Sequence, residues 1–159
     1  MKMLTEEENR EIDRERAHYE QPRAATIEAL KIVQKHRGWV SDDAVAGIAA
    51  RLGSSPAAVD AVATFYNLIY RRPVGRHVVH VCDSVSCWVM GQTKLSDLLK
   101  ARLGIDYGQT TPDGRFTLLP ICCLGTCDRA PAMLIGEDTH RDLETLDAAA
   151  LDALLERYP

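Results

Sequence analysis

The chain has 159 residues, 46% hydrophobic and 26% charged, a composition that can bury a core without a metal staple. Its formal charge of −4 weighs against nucleic-acid binding, and no apolar run approaches the roughly 20 residues that span a bilayer. The acidic opening stretch lacks the apolar core of a secretory signal and the Arg-rich, acid-poor character of a transit peptide. A reducing, cytoplasmic compartment is expected, in which the cysteines serve as metal ligands or reactive thiols.

Thr5 and Glu8 form a capping box that opens a charged helix, with Glu6 placed to pair with Arg10. A second helix starts around Pro22, carries Ile27, Leu30 and Val33 on one face, and stops at Gly38. Ser41 caps a third, with Asp42 and Asp43 in its first turn and Gly53 at its end; Val45, Ile48 and Leu52 mark its apolar side. Ser55 caps a fourth with Pro56 at its first position, and Val59, Val62 and Tyr66 mark its stripe. The third and fourth resemble a helix-turn-helix. Between Ala57 and Ile69, however, there is no basic residue to meet bases and phosphates, so the pair reads as packing.

The basic segment YRRPVGR, residues 70–76, marks the boundary between a helical region over 1–72 and a second domain over 73–159. There the pattern changes to a strand at 77–81, a helix over 89–103, and two strand-like runs around the Asp113-Gly114 turn that predict a hairpin. AMLIG predicts another strand, with DTHRDL beside it, and the chain closes in a helix offering Leu146, Leu151, Leu154 and Leu155 to a core. The order predicts an α+β fold: an N-terminal helical bundle followed by a thioredoxin-like domain.

Each pair of cysteines follows a predicted strand. Cys82 and Cys87 have four residues between them, and the second loop holds Cys122, Cys123 and Cys127. Two loops at the ends of neighbouring strands can gather four thiolates around zinc or an iron–sulfur cluster. The small and polar residues Asp83, Ser84, Ser86, Gly125 and Thr126 leave backbone N–H groups free to stabilise a dianionic [2Fe–2S] centre, aided by a helix N-terminus after Cys87. Gly125 offers a position without Cβ where the loop closes. A zinc-stapled interaction module is the alternative. No C-x-x-C redox motif and no Gly-rich nucleotide loop is present, and His80, two residues before Cys82, reads as structural. Spacing does not choose between Cys122 and Cys123, since Cys122 to Cys127 repeats the interval of the first pair.

The segments HYEQPRAATIEALKIVQKHRGWV, VATFYNLIYRRPVGRHVVHVCDSVSC, GQTTPDGRFTLLPICCLGTCDRAP and IGEDTH closely resemble the small [2Fe–2S] subunits of bacterial NADH:quinone oxidoreductase, complex I. Related subunits of NAD-linked formate dehydrogenases and hydrogenases are the runner-up. The resemblance implies a helical region that docks on a partner, followed by a thioredoxin-like [2Fe–2S] ferredoxin domain. It implies an electron-transfer role without a complete active site in this chain, with FMN and NADH on a partner subunit and an iron–sulfur subunit as a further neighbour. The cluster is expected close to the flavin but off the main electron path, and the complex on the cytoplasmic side of the inner membrane, with no direct insertion. The family motif, C-x₄-C followed by C-[LI]-G-x-C, carries over onto Cys82, Cys87, Cys123 and Cys127 as the cluster ligands. Asp113, Phe116 and Pro131 also match, and Cys122 is left as a buried bystander. Trp88 has no counterpart in the motif, which leaves open whether it shields the cluster or packs on a partner.

Overall fold

The computed structural model describes residues 3–159. The chain divides after Pro73 into two compact units, the second being Val74–Pro159.

The first unit is built of helices. Helix α1 (Glu6–Arg16) begins at the Thr5–Glu8 capping box, a 3-10 turn covers Pro22–Ala25, and α2 (Thr26–Arg37), α3 (Asp42–Leu52) and α4 (Pro56–Phe65) follow. Ser41 and Ser55 each accept a backbone N–H at the start of α3 and α4, satisfying donors that a helix leaves orphaned. Gly38 and Gly53 end α2 and α3 in the left-handed region, which glycine adopts without a Cβ clash. Ile12, Leu30, Val33, Ile48 and Val59 form the core.

Glu8, fully buried in this unit, is held by Arg37 through two hydrogen bonds of 2.6 Å. Burial pushes the Glu8 carboxyl up, but Arg37 and Thr5 outweigh it and hold it below the ordinary carboxylate value. The expected Glu6–Arg10 pair is not among the ion pairs of the described residues; charge in α1 is used across helices instead, as in Arg51 with Asp13. Tyr66 does not continue the α4 stripe. The helix ends at Phe65, Ala63 takes the inward place, and Tyr66 is exposed beside Phe65. Arg71, expected in a linker, is tied to Asp42, Asp60 and the Val40 carbonyl.

The second unit is a four-stranded sheet with helices. Its strands are β1 (His77–Cys82), β2 (Phe116–Ile121), β3 (Met133–Ile135) and β4 (Asp138–His140), in the spatial order β2-β1-β3-β4. β1 and β2 run parallel, with Cys82 opposite Ile121, while β3 is antiparallel to both β1 and β4. Val79, Val81, Leu118, Met133 and Ile135 meet Leu95, Leu99 and Leu151 in the main core, and Leu146 and Leu154 pack at its margin.

Two local expectations change here. Residues 89–103 are not one helix: α5 (Val85–Val89) ends before Gly91, whose φ of +100° breaks the helix, and α6 (Gln92–Leu103) starts after it. The Asp113-Gly114 turn forms, and the incoming arm pairs with β2 through the antiparallel Thr110–Thr117 bridge and backbone bonds from Thr111 N–H to the Phe116 carbonyl and from Leu118 N–H to the Gln109 carbonyl, without becoming a regular strand. β2 is an edge strand: one side pairs with β1 and the other with this short arm. Helix α7 (Ala148–Leu155) closes the unit. The Arg115 guanidinium donates to the Leu155 and Tyr158 carbonyls at 2.5 and 2.6 Å, tying the chain end to the sheet.

Candidate metal centre

Parallel pairing of β1 and β2 brings the two cysteine loops to one edge of the sheet, because both strands reach it at their C-terminal ends. β1 delivers Cys82 there. The Cys82 N–H donates to the Ala132 carbonyl at 3.1 Å and the Asp83 N–H to the Ile121 carbonyl at 3.0 Å, so the strand end is held from both sides. Cys87 lies inside α5, not before a helix as expected; Ser84 is the cap residue, and the helix starts ahead of the cysteine. Cys82 and Cys87 are both only 2% exposed and share a small core with Ile121, Ala130 and Ala132.

The second loop is different. Cys122, Cys123 and Cys127 are all exposed, which corrects the expectation that Cys122 is buried: it follows the last residue of β2, where the chain leaves the sheet. Cys123 and Cys127 approach each other at 3.2 Å between Sγ atoms, and the Gly125 N–H donates to Cys123 Sγ at 3.3 Å. Gly125 has φ +77°, and a Cβ there would meet nothing within 4 Å. Backbone conformation is therefore what requires glycine at this point, not lack of space.

The sulfurs sense one another across the loops. Burial and the neighbouring Cys82 push the Cys87 thiol up to about 11, with the Ala132 N–H partly opposing. Cys123 pushes Cys127 up, and the nearby Ser86 hydroxyl works against that rise. The Gly125 N–H, and then Cys127, hold the Cys123 thiol below its ordinary value. Thiols that raise one another's pKa in this way resist joint deprotonation unless a positive centre lies among them.

These residues fit an iron–sulfur group. Thr126 Oγ1, between Gly125 and Cys127, is buried with no hydrogen-bond partner among the described residues. Such an orphaned hydroxyl costs about 1–3 kcal/mol, and the sulfide of a cluster held there would accept its hydrogen bond. The sequence shows Ser86 and Thr126 only as small polar residues; their separate roles depend on where the folded loops aim them. His80 is buried in β1 at 1% exposure, and burial pushes its imidazole down to about 4, as suits a structural residue.

Residues 12–159 match the family of thioredoxin-like [2Fe-2S] ferredoxins. The chain belongs to that family. It is 53% identical over 156 residues to the E subunit of the NADH-quinone oxidoreductase of Pseudomonas aeruginosa, a match covering 98% of this chain and 92% of the relative. The corresponding subunit of Escherichia coli strain K12 is 55% identical over 155 residues, with the same coverage of each chain. Among solved structures, an NAD+-reducing [NiFe]-hydrogenase in its H2-reduced state matches with a TM-score of 0.67 and 30% identity. That match covers 84% of this member of the family and 22% of the hydrogenase chain, so the chain spans about a fifth of that protein. The α+β, thioredoxin-like architecture expected from the sequence is the fold of this family.

Proposed function

We propose that this chain is the small electron-transfer subunit of an NADH-quinone oxidoreductase and holds one [2Fe–2S] cluster through Cys82, Cys87, Cys123 and Cys127. The observation that carries this reading is identity of 53–55% across 98% of the chain to E subunits of such oxidoreductases, joined to two cysteine loops meeting on one sheet edge. When bound, the cluster supplies a one-electron carrier. The chain's own part is to hold it: two thiolates from a buried, hydrogen-bonded frame, and two from an exposed loop whose Gly125 N–H points at Cys123 sulfur. Among the described residues, Cys122 makes no hydrogen bond to these sulfurs and stays outside the set.

Partners follow from the same reading. Val85, Trp88, Val89 and Met90, in and just after the helix that carries Cys87, are 48–70% exposed, a large apolar area for a water-facing surface. They suit a partner subunit that brings FMN and the NADH site beside the cluster, and the helical region over residues 1–72 offers Phe65, Tyr66 and Leu68 for docking as well. No helix among the described residues is long and apolar enough to cross a membrane. The chain then sits peripherally, on the cytoplasmic side, through its complex. A place in an NAD-linked hydrogenase is the second reading, favoured by the 30% identity to such an enzyme and weaker than the first for the same number.

Purification of the tagged chain from its native membranes tests the proposal. It is expected to bring along a flavin- and NADH-binding subunit and to contain iron and sulfide, while the separated chain oxidises no NADH. Recovery of the chain alone, with stoichiometric zinc and no iron, would overturn it.

A further inference from the structure

We infer that two hydroxyls, Ser86 from the first cysteine loop and Thr126 from the second, donate hydrogen bonds to the sulfurs of the site and raise the reduction potential of the cluster held there. The inference rests on the reading of the four cysteines as cluster ligands. Thr126 Oγ1 is buried, lies next to Cys127 in sequence, and has no acceptor among the described residues. Its neighbour Gly125 already turns its N–H to Cys123 Sγ at 3.3 Å, so the loop is shaped to point donors at sulfur. A buried hydroxyl keeps a partner wherever one is within reach, and the acceptor that loading adds to this site is sulfide.

Ser86 makes the matching contact from the other side. It lies in α5, one residue before Cys87, and its hydroxyl comes near enough to Cys127 to hold that thiol down against the rise Cys123 causes. Both hydroxyls lie beside the exposed half of the ligand set, Cys123 and Cys127, which water can reach. Reduction adds negative charge to the sulfurs, and a donor stabilises the more charged form more strongly. Both residues are positioning residues for electron transfer, with an effect on potential and none required for ligation.

An EPR-monitored redox titration of the loaded full chain tests this. In Ser86→Ala and Thr126→Val, the ratio of reduced to oxidised protein at a given ambient potential is expected to fall three- to tenfold, tenfold being ~59 mV for a one-electron couple. Thr126→Ser, which restores the hydroxyl, should return the ratio toward that of the unsubstituted chain. If Thr126→Val loads poorly, Thr126→Ala carries the same comparison. Unchanged ratios in Ser86→Ala and in the loaded Thr126 variant would overturn the inference while leaving the cluster assignment intact. An unsubstituted chain that assembles no iron–sulfur centre would instead overturn the assignment itself.

Discussion

The two cysteine loops reach the same sheet edge by opposite means. Cys82 is the last residue of a central strand and Cys87 sits in a short helix, both nearly inaccessible to solvent, with backbone hydrogen bonds to Ala132 and Ile121 on either flank. Cys123 and Cys127 are exposed and lie in a loop shaped by one left-handed glycine. The first pair is placed by regular structure that exists for its own packing reasons. The second pair is placed by local backbone geometry, and its sulfurs must find their stability in hydrogen bonds and in the bound group. One half of such a site resists disturbance and the other half remains adjustable.

The sharpest way to break this contrast is thiol labelling. In the metal-free chain the exposed Cys122, Cys123 and Cys127 should be alkylated rapidly, and Cys82 and Cys87 orders of magnitude more slowly, being buried. In the loaded chain only Cys122 should label fast. Mass spectrometry of quenched time points measures both. Rapid labelling of Cys87 without metal would show that the buried frame does not exist until the cluster forms.

A smaller effect sharpens the comparison. Gly125→Ala forces a Cβ into φ +77° and should destabilise the second loop by about 1 kcal/mol, lowering iron content under limiting reconstitution. Ser84→Ala in the first loop should change little, since the Ser84 side chain makes no capping hydrogen bond. Iron and sulfide per chain, measured after identical reconstitution, give the comparison directly.

Much of the fold is legible in the sequence because the helix ends carry their own signals. Thr5 with Glu8, Ser41, Ser55 before Pro56, Gly38 and Gly53 all cap the helices they mark. Where reading by pattern fails, a non-local contact decides the outcome. The run after Gln109 makes its hairpin with only a short incoming arm, and nothing in that run reveals β1, the parallel partner on the other side of β2. Gly91 breaks a pattern that is apolar enough for one continuous helix, and the break leaves α5 to carry Cys87. Tyr66 keeps the helical spacing after the helix has ended.

For the site, the gathering of two cysteine loops follows from strand order, while the choice within the second loop does not. Cys122 and Cys123 are adjacent, and four-residue spacing favours neither. Family resemblance singles out Cys123. In the fold, Cys123 is the one with Gly125 N–H and Cys127 Sγ at hand, a consequence of the loop closing at a glycine. The orphaned Thr126 hydroxyl is invisible in the sequence, because burial of a single oxygen depends on the whole loop.

The most direct test of the central claim is the iron and sulfide content, with the EPR signal of the reduced protein, of Cys122→Ser set beside Cys123→Ser. The account predicts that Cys122→Ser keeps a [2Fe–2S] centre indistinguishable from that of the unsubstituted chain, while Cys123→Ser loses it or shows a strongly altered signal. A centre lost in Cys122→Ser and kept in Cys123→Ser would contradict it.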